Sequence, residues 1–409
     1  MDKKKIFIII LIIYLIITFV SEILYRNKLY DKSIDYIEEI KQKGFFHYFY
    51  FFWAVIFFYG LLVIGFFISF LFYPIYYCYC FISVELFSIF IYCLLKPIYC
   101  SPRPIWDIYL KNQGNSDDKI FPKPTDCDGE FGNPSGHSVL CAILLILWHQ
   151  FINSNYCKKL EQKKLIIMKI ISLILIIVCI IFVNYSRINR QIHSFNQILF
   201  GFILGIPIFF VFCYILELNI INSDEYMEKI EKYKFIIIPI YLILFAISLI
   251  LGLTRHNKNE DEYRRILKIY CDSSDEDLFG KATASLSCII FVNIGGYIGL
   301  LFLNNKINKN HSNQKEIFFN WNKRDKLSTL KVSLFTLLSI LIVVINILIP
   351  IKQYILKLII SIICYFLFGF LFYGVCFYYG CKIFIQEKND ELNKQNLLKN
   401  SYEIEINGD

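Results

Sequence analysis

Long apolar runs separated by polar loops dominate the chain. Ten runs approach or exceed the roughly 20 residues that a membrane-spanning helix needs, and they fall at about 6–25, 49–71, 75–95, 136–154, 165–184, 195–217, 235–252, 283–303, 329–350 and 355–380. Backbone polar groups in hydrocarbon must pair within the chain, so each run is predicted to be a helix. The pattern therefore predicts an all-α protein, a polytopic transmembrane helix bundle of about ten spans.

The first run resembles a signal peptide because Lys3, Lys4 and Lys5 precede it. Near its end, Val20 to Ile23 contain no small-residue cleavage site, so we favour an uncleaved anchor, with a cleaved signal as the alternative.

Loop charges orient the bundle. Basic residues concentrate in the loops after the fourth and eighth runs, namely Lys158, Lys159, Lys163 and Lys164, then Lys306, Lys309, Lys315, Lys323, Arg324 and Lys326. The positive-inside rule makes these loops and both termini cytoplasmic. The opposite side then carries the loops 26–48, 96–135, 185–194 and 253–282.

Composition supports a membrane protein. Of 409 residues, 56% are hydrophobic and 19% charged, and the mean hydropathy is +0.52. The net charge of +8 is spread over the loops without a concentrated basic face, which argues against nucleic acid as a partner. Membrane lipid is the expected surrounding.

Cysteine adds little. Most of the 14 Cys lie in apolar runs, where they act as small hydrophobic residues. Cys100, Cys127 and Cys271 fall in loops on one predicted side, where a disulfide can form if that side is oxidising. No Cys and His spacing indicates a metal site, so we predict no metal and no cofactor.

Candidate chemistry lies in three segments, each at the end of an apolar run. The first contains Lys96 and Arg103, the latter followed by Pro104. Cations near span ends commonly reach for lipid headgroups, but the planar guanidinium of Arg103 also matches phosphate oxygens.

The second segment is Pro134-Ser135-Gly136-His137. Ser135 is a candidate N-cap for the fourth span, and Gly136 lets a ligand approach its backbone N–H closely. A helix N-terminus suits an anion, and His137 lies within reach of the same point. An ordinary capped helix start is the alternative.

The third segment runs from Ser186 and Arg187 to His193 and Gln197. If residues 193–197 are helical, His193 and Gln197 share a face, and the Gln197 carbonyl can accept Nδ1–H and leave Nε2 as a nucleophile. Arg190 is interpreted as a turn residue.

In this order, Lys-x6-Arg-Pro, Pro-Ser-Gly-His and Ser-Arg-x5-His, the motifs resemble the type 2 phosphatidic acid phosphatase superfamily, which includes the vanadium haloperoxidases. The resemblance covers residues 96–197 and implies a catalytic core of that type. It implies that His193 is the nucleophile and His137 the general acid. Lys96, Arg103, Ser135, Gly136 and Arg187 would bind phosphate.

Most of that superfamily has Asp where this chain has Gln197. Glucose-6-phosphatases have Gln there, and Trp106 and the acidic stretch 126–130 are also similar to that branch. The resemblance implies an endoplasmic reticulum enzyme with a lumenal site, for which a transporter partner would fit. Another endomembrane or the plasma membrane is the alternative location.

We therefore expect four parts: an N-terminal anchor span and polar loop (1–44), a catalytic membrane core (45–220), C-terminal spans (221–380) and a polar cytoplasmic tail (381–409). The expected function is a metal-independent phosphomonoesterase that forms a phosphohistidine and acts on a phosphorylated small molecule such as glucose 6-phosphate. A lipid-phosphate phosphatase or phosphotransferase is the first alternative, and a non-catalytic transporter or scaffold is the second.

Overall fold

A computed structural model describes residues 3–39, 60, 75–112, 129–153, 161–219, 223–271, 278–310, 342, 353–379 and 382. Within these ranges every regular element is helical, as predicted. The helices are α1 (Lys3–Glu39), α2 (Ile75–Tyr99), α3 (Pro104–Asn112), α4 (Gly136–Ile152), α5 (Gln162–Asn189), α6 (Phe195–Asn219), α7 (Ser223–Thr254), α8 (Glu260–Cys271), α9 (Phe279–Ser287), α10 (Ile290–Asn310) and α11 (Tyr354–Phe370), which continues as a π-helical turn, Leu371–Cys376.

Seven helical stretches in the described part of the chain are long and apolar enough to cross a membrane, and α4 is a shorter apolar helix. Together they coincide with eight of the ten predicted runs. The runs at 49–71 and 329–350 lie outside the described residues. Large apolar side chains are exposed along α5, for example Ile170 and Ile174, each 54% accessible. Such faces are compatible with contact to lipid and an integral membrane protein.

Helix α1 is longer than the hydrophobic pattern predicted. The loop expected at 26–48 begins as helix, because α1 continues to Glu39. Its last turns contain no Pro or Gly, and they bury Ile34 and Ile37 against Ile108 and Ile188. With a rise of about 1.5 Å per residue, α1 is about 55 Å long, so it extends well beyond the roughly 30 Å hydrocarbon layer.

Helices α4 and α6 pack closely through two glycines one turn apart. A Cβ on Gly201 would lie 2.6 Å from the Ser135 carbonyl oxygen, and one on Gly205 would lie 2.7 Å from that of Val139. Small residues at this spacing let helices in a membrane approach closely. The contact brings the N-terminal ends of α4 and α6 together.

A small aromatic layer covers this end of the bundle. Trp106 of α3 lies against Tyr263 of α8 and against Phe279, with ring centroids 5.4 and 5.5 Å apart. Phe131 is fully buried in the same layer, 5.6 Å from Phe279. Helices α3 and α8 therefore form a cap next to the three candidate motifs.

Candidate functional site

The three motifs meet where α2 and α5 end and where α4 and α6 begin. Backbone hydrogen bonds join them directly. Ser135 N donates to Gln197 O at 3.0 Å, and Gly132 N donates to Ser101 O at 2.8 Å. Residues that are distant in sequence thus converge on one place at one end of the bundle.

Three cations are buried at this place. Lys96, Arg103 and Arg187 are 3%, 2% and 4% exposed. Arg103 donates from Nε to the Glu130 carbonyl at 2.7 Å and from a terminal nitrogen to the Ile192 carbonyl at 3.4 Å. Buried charges are rare without a partner or a function, so these cations form a concentrated positive site beside His193.

His193 is almost fully buried, at 2% exposure, in the short segment between α5 and α6. Its Nδ1 lies 3.2 Å from Oε1 of Gln197. An amide oxygen can only accept, so Nδ1 carries the proton in this contact. The other ring nitrogen, Nε2, then has a free lone pair, which is the arrangement that the sequence predicted.

The Gln197 amide is fixed by further contacts. Oε1 also accepts from Ser194 N at 3.2 Å, and Nε2 donates to the Pro102 carbonyl at 2.8 Å. A Cβ on Gly132 would lie only 2.5 Å from Gln197 Nε2, so the absence of a side chain there makes room for the amide.

Helix α6 begins at Phe195, where the predicted sixth run begins, so His193 precedes the helix and the condition that residues 193–197 are all helical is not met. Ser194 is the residue before α6 and Gln197 is the third residue within it. A Gln side chain that reaches back to the N-cap N–H is one half of a capping box. Gln197 therefore reaches His193 from the first turn of the helix.

The environment lowers the pKa of His193 well below the ordinary 6.5. Burial is the main cause, followed by the positive charges of Arg103, Arg187 and Lys96, with a further contribution from His137. Each of these groups must lie near the imidazole to act on it. His193 is therefore neutral at pH 7.

Ser135 lies at the N-cap position of α4, with extended backbone angles of φ −69° and ψ 116°. The predicted N-cap position is confirmed, but the Ser135 side chain makes no capping hydrogen bond. Its Oγ is buried and has no hydrogen-bond partner, so a donor or acceptor site remains open next to Gly136, the first residue of the helix. Half-buried His137 follows as the second.

Several polar contacts around the site were not predicted from the sequence. The Glu130 carboxylate pairs with Lys96, and Ser33 Oγ of α1 accepts from Phe195 N at 2.8 Å. Glu22, also in α1, accepts from Asn133 at 2.8 Å. The capping-box spacing of Ser194 and Gln197 was a usable signal for one contact, whereas contacts across 111 or 162 residues have no local signal.

Two other predictions concern cysteine and Arg190. Cys100 is a free thiol that donates to the Pro97 carbonyl at 2.9 Å, whereas Cys127 and the side chain of Cys271 lie outside the described residues. Arg190 lies in a turn, as interpreted, and is as buried as Arg187, at 4% exposure. Over the described ranges, no three His, Cys, Asp or Glu side chains are placed to hold a metal ion.

Comparison with known families agrees with this geometry. Residues 73–221 match the PAP2 superfamily, a stretch that contains α2 to α6 and all three motifs. The similarity covers about a third of the chain and supports the resemblance that the three motifs show. Neither a curated protein nor a solved structure matches the chain.

Proposed function

We propose that the protein is an integral-membrane phosphomonoesterase that uses His193 as its nucleophile. One observation carries the proposal: a buried, neutral imidazole is oriented through Nδ1 by Gln197 and surrounded by Lys96, Arg103 and Arg187. Positioning and charge neutralisation are the main requirements of phosphoryl transfer.

The reaction has two steps. His193 Nε2 forms a bond to phosphorus while the bond to the leaving oxygen breaks, and His137 donates a proton to that oxygen. The product is a phosphohistidine. Water then attacks phosphorus as His137 takes up its proton, the bond to Nε2 breaks, and inorganic phosphate leaves.

Fixed positive charge replaces a metal ion in this proposal. Lys96, Arg103 and Arg187 neutralise charge on the phosphoryl oxygens, and the Gly136 amide and Ser135 hydroxyl donate to them. Preorganised donors of this kind are each worth on the order of 10²-fold in rate. No step uses a metal ion or a cofactor.

We propose a sugar phosphate such as glucose 6-phosphate as the substrate. The support is the Gln197 amide, which resembles that of glucose-6-phosphatases, and the polar surroundings of the site. Asn196 is 1% exposed, and its Nδ2 has no hydrogen-bond partner. Buried unpaired polar groups favour a hydroxylated ligand over an apolar one.

A lipid phosphate is the second candidate, and aromatic side chains beside the site favour it. Tyr99 lies 5.2 Å from Phe200, which lies 5.7 Å from Phe19. This cluster begins three residues after Lys96, at the side of the bundle where α1 meets α2 and α6. An acyl chain that enters from the bilayer would meet these rings.

The substrate can be identified with membranes that contain the wild-type protein or His193→Ala. Phosphate release is measured from glucose 6-phosphate, phosphatidic acid and sphingosine phosphate with a chelator present. His149→Ala is the matched control, because His149 lies in the last turn of α4, about 18 Å along the helix from His137.

We expect wild type and His149→Ala to release phosphate from glucose 6-phosphate, and His193→Ala to lose at least about 10³-fold. Release from the lipids alone would replace the sugar-phosphate proposal with the lipid one. Equal release by wild type and His193→Ala from every substrate would favour a non-catalytic transporter or scaffold.

We also propose that the site faces the lumen of the endoplasmic reticulum. The basic loops after α4 and α10 support this orientation by the positive-inside rule. The resemblance to glucose-6-phosphatases supports the organelle.

A further inference from the structure

One of the proposed phosphate-binding cations, Lys96, is already paired with a carboxylate of the protein. Glu130 forms an ion pair with Lys96 through Oε2, and its backbone carbonyl accepts from Arg103 Nε at 2.7 Å. The same residue therefore contacts two cations that the proposed mechanism assigns to the phosphoryl group. A phosphoryl oxygen that binds Lys96 must share or replace this carboxylate.

The backbone on both sides of Glu130 is fixed. Phe279 N donates to the Gly129 carbonyl at 2.7 Å, and Gly132 N donates to the Ser101 carbonyl at 2.8 Å. Phe131, between them, is fully buried against Phe279. The chain at this point cannot shift easily, so the carboxylate can leave Lys96 only by a rotation of its own side chain.

The two partners differ in accessibility. The Glu130 side chain is 19% exposed and the Lys96 side chain is 4% exposed. An anion that approaches from solvent therefore meets the carboxylate before it reaches the ammonium group. Lys96 also lies 5.2 Å from the centre of the Tyr92 ring, a cation–π contact that holds it in place when the carboxylate moves.

We propose that the Glu130 carboxylate is the resident anion of the phosphoryl site. It pairs with Lys96 when the site is empty, and the phosphoryl group displaces it. The proposal rests on the phosphatase function proposed above. It explains how Lys96 remains buried and charged without substrate, since a buried charge needs a partner.

Displacement has a consequence for affinity. A ligand that binds only after Glu130 has moved binds more weakly, in proportion to the fraction of molecules in the open arrangement. Inorganic phosphate, the product, carries this penalty and leaves more readily. The ligand class is a tetrahedral oxyanion with two negative charges, which offers Lys96 more charge than one carboxylate does.

Binding of orthophosphate and orthovanadate to the purified full-length protein tests the proposal without turnover. Glu130→Gln removes the charge at nearly constant shape, and we expect it to bind both anions about tenfold more tightly than wild type. Glu130→Asp keeps the charge but shortens the side chain, and it should also bind them more tightly.

A double-mutant cycle separates the contact from general repulsion. In the Lys96→Met background, Glu130→Gln should bring little or no gain, because the carboxylate has no partner to block. A full gain in that background would mean that Glu130 repels anions from a distance, and the proposal would be wrong. Weaker anion binding by Glu130→Gln and Glu130→Asp would show that Glu130 positions Lys96 for the ligand, which also overturns it.

The two proposals can fail separately. Suppose that wild type hydrolyses no phosphate ester, but Glu130→Gln still binds orthophosphate more tightly through Lys96. The proposed phosphatase function is then wrong, and the proposed displacement of Glu130 still holds. If wild type is an active phosphatase and the double-mutant cycle shows no coupling between Lys96 and Glu130, only the proposed displacement is wrong.

Discussion

Gln197 does two things that a carboxylate could not do together. Its Oε1 accepts from His193 and Ser194, while its Nε2 donates to the Pro102 carbonyl at 2.8 Å. The amide therefore links His193 to the segment that contains Arg103 and Pro104. A carboxylate at this position would accept from the imidazole, but it would face the Pro102 carbonyl without a proton to donate.

Gln197→Glu should move the acid limb of the pH–rate profile upward. Burial and neighbouring cations hold the pKa of His193 well below 6.5, so in wild type the nucleophile stays neutral, and the rate persists, until the pH falls through that lowered value. A carboxylate on Nδ1 favours the imidazolium and raises the pKa, by about one unit or more.

The measurement is kcat against pH for both proteins with the same substrate, so that titration of the substrate affects both curves equally. Gln197→Asn, which keeps a shortened amide, is the neutral control and should leave the acid limb near its wild-type position. Superimposed acid limbs for wild type and Gln197→Glu would contradict the assignment of His193 as the titrating nucleophile.

For individual residues, the sequence was informative where a motif had a fixed local spacing. It predicted that Lys96, Arg103, Arg187 and the two histidines converge, and the structure places them together. It did not predict Glu130 as the partner of Lys96, because 34 residues separate the two and a lone Glu in an acidic stretch has no spacing that marks it. Ion pairs of this kind depend on tertiary packing.

Among the elements, α1 supports the site from outside the matched domain. It precedes residues 73–221, yet it contacts both sides of the site and the cap. Ser33 accepts from Phe195 N at the start of α6, Glu22 accepts from Asn133 before α4, and Tyr30 donates to Asp107 of α3 at 2.6 Å. These contacts position the segments that carry the proposed catalytic residues.

Ser33→Ala should lower activity although Ser33 touches no substrate. Its Oγ satisfies a free N–H at the start of α6, two residues after His193. Loss of such a cap costs about 1 kcal/mol, so we expect a lower thermal midpoint and a kcat reduced about fivefold. KM should change little, because the proposed phosphate ligands remain.

Ser21→Ala is the matched control for this variant, since Ser21 donates only within α1, to the Thr18 carbonyl at 3.0 Å. It should behave like wild type in both the melting and the kinetic measurement. If both serine variants are indistinguishable from wild type, α1 is an anchor and does not support the site.

Gly201→Val tests the close approach of α4 and α6. The new side chain would place Cβ 2.6 Å from the Ser135 carbonyl oxygen and 2.9 Å from Ser138 Cβ, so the helices must separate. Because Ser135 N bonds to Gln197 O across this contact, separation moves His193 away from the second motif.

We expect kcat/KM of Gly201→Val to fall at least about 100-fold, since small displacements of reacting groups cost this much. Leu199→Val, on the exposed face of the same helix, is the control and should remain active. Activity of Gly201→Val close to that of wild type would show that the α4–α6 distance is not critical.

Helix existence was easier to predict than helix ends. The apolar runs that became α5, α6 and α10 gave clear signals, because a membrane span needs length and hydrophobicity. The end of α1 was missed because the residues after Arg26 are polar on one side. Hydropathy detects a membrane-spanning segment, but it does not detect a helix that continues beyond the membrane as an amphipathic segment. The start of α6 at Phe195 coincides with the start of the predicted run 195–217.

For the whole molecule, the arrangement of ends is the feature that carries function. One end of the bundle contains the C-terminal ends of α2 and α5 and the N-terminal ends of α4 and α6. This end therefore holds every proposed catalytic residue. Helix α4 runs away from the site and ends at Ile152, toward the opposite end of the bundle. This separation makes the orientation of the site measurable.

Engineered glycosylation acceptors test that orientation. Gly114→Thr creates an Asn-x-Thr acceptor at Asn112, on the side of the site, and Cys157→Thr creates one at Asn155, on the opposite side. We expect a glycosidase-sensitive shift in mobility for the first variant and none for the second. The reverse pattern would place the site in the cytoplasm.

The central claim is that His193 becomes phosphorylated. Brief incubation with ³²P-labelled glucose 6-phosphate or phosphatidic acid, followed by denaturation in base, measures this directly. Wild type and His149→Ala should retain a label that is stable in base and lost in acid, and His193→Ala should retain none. An acid-stable label, or equal labelling of His193→Ala and wild type, would contradict the account.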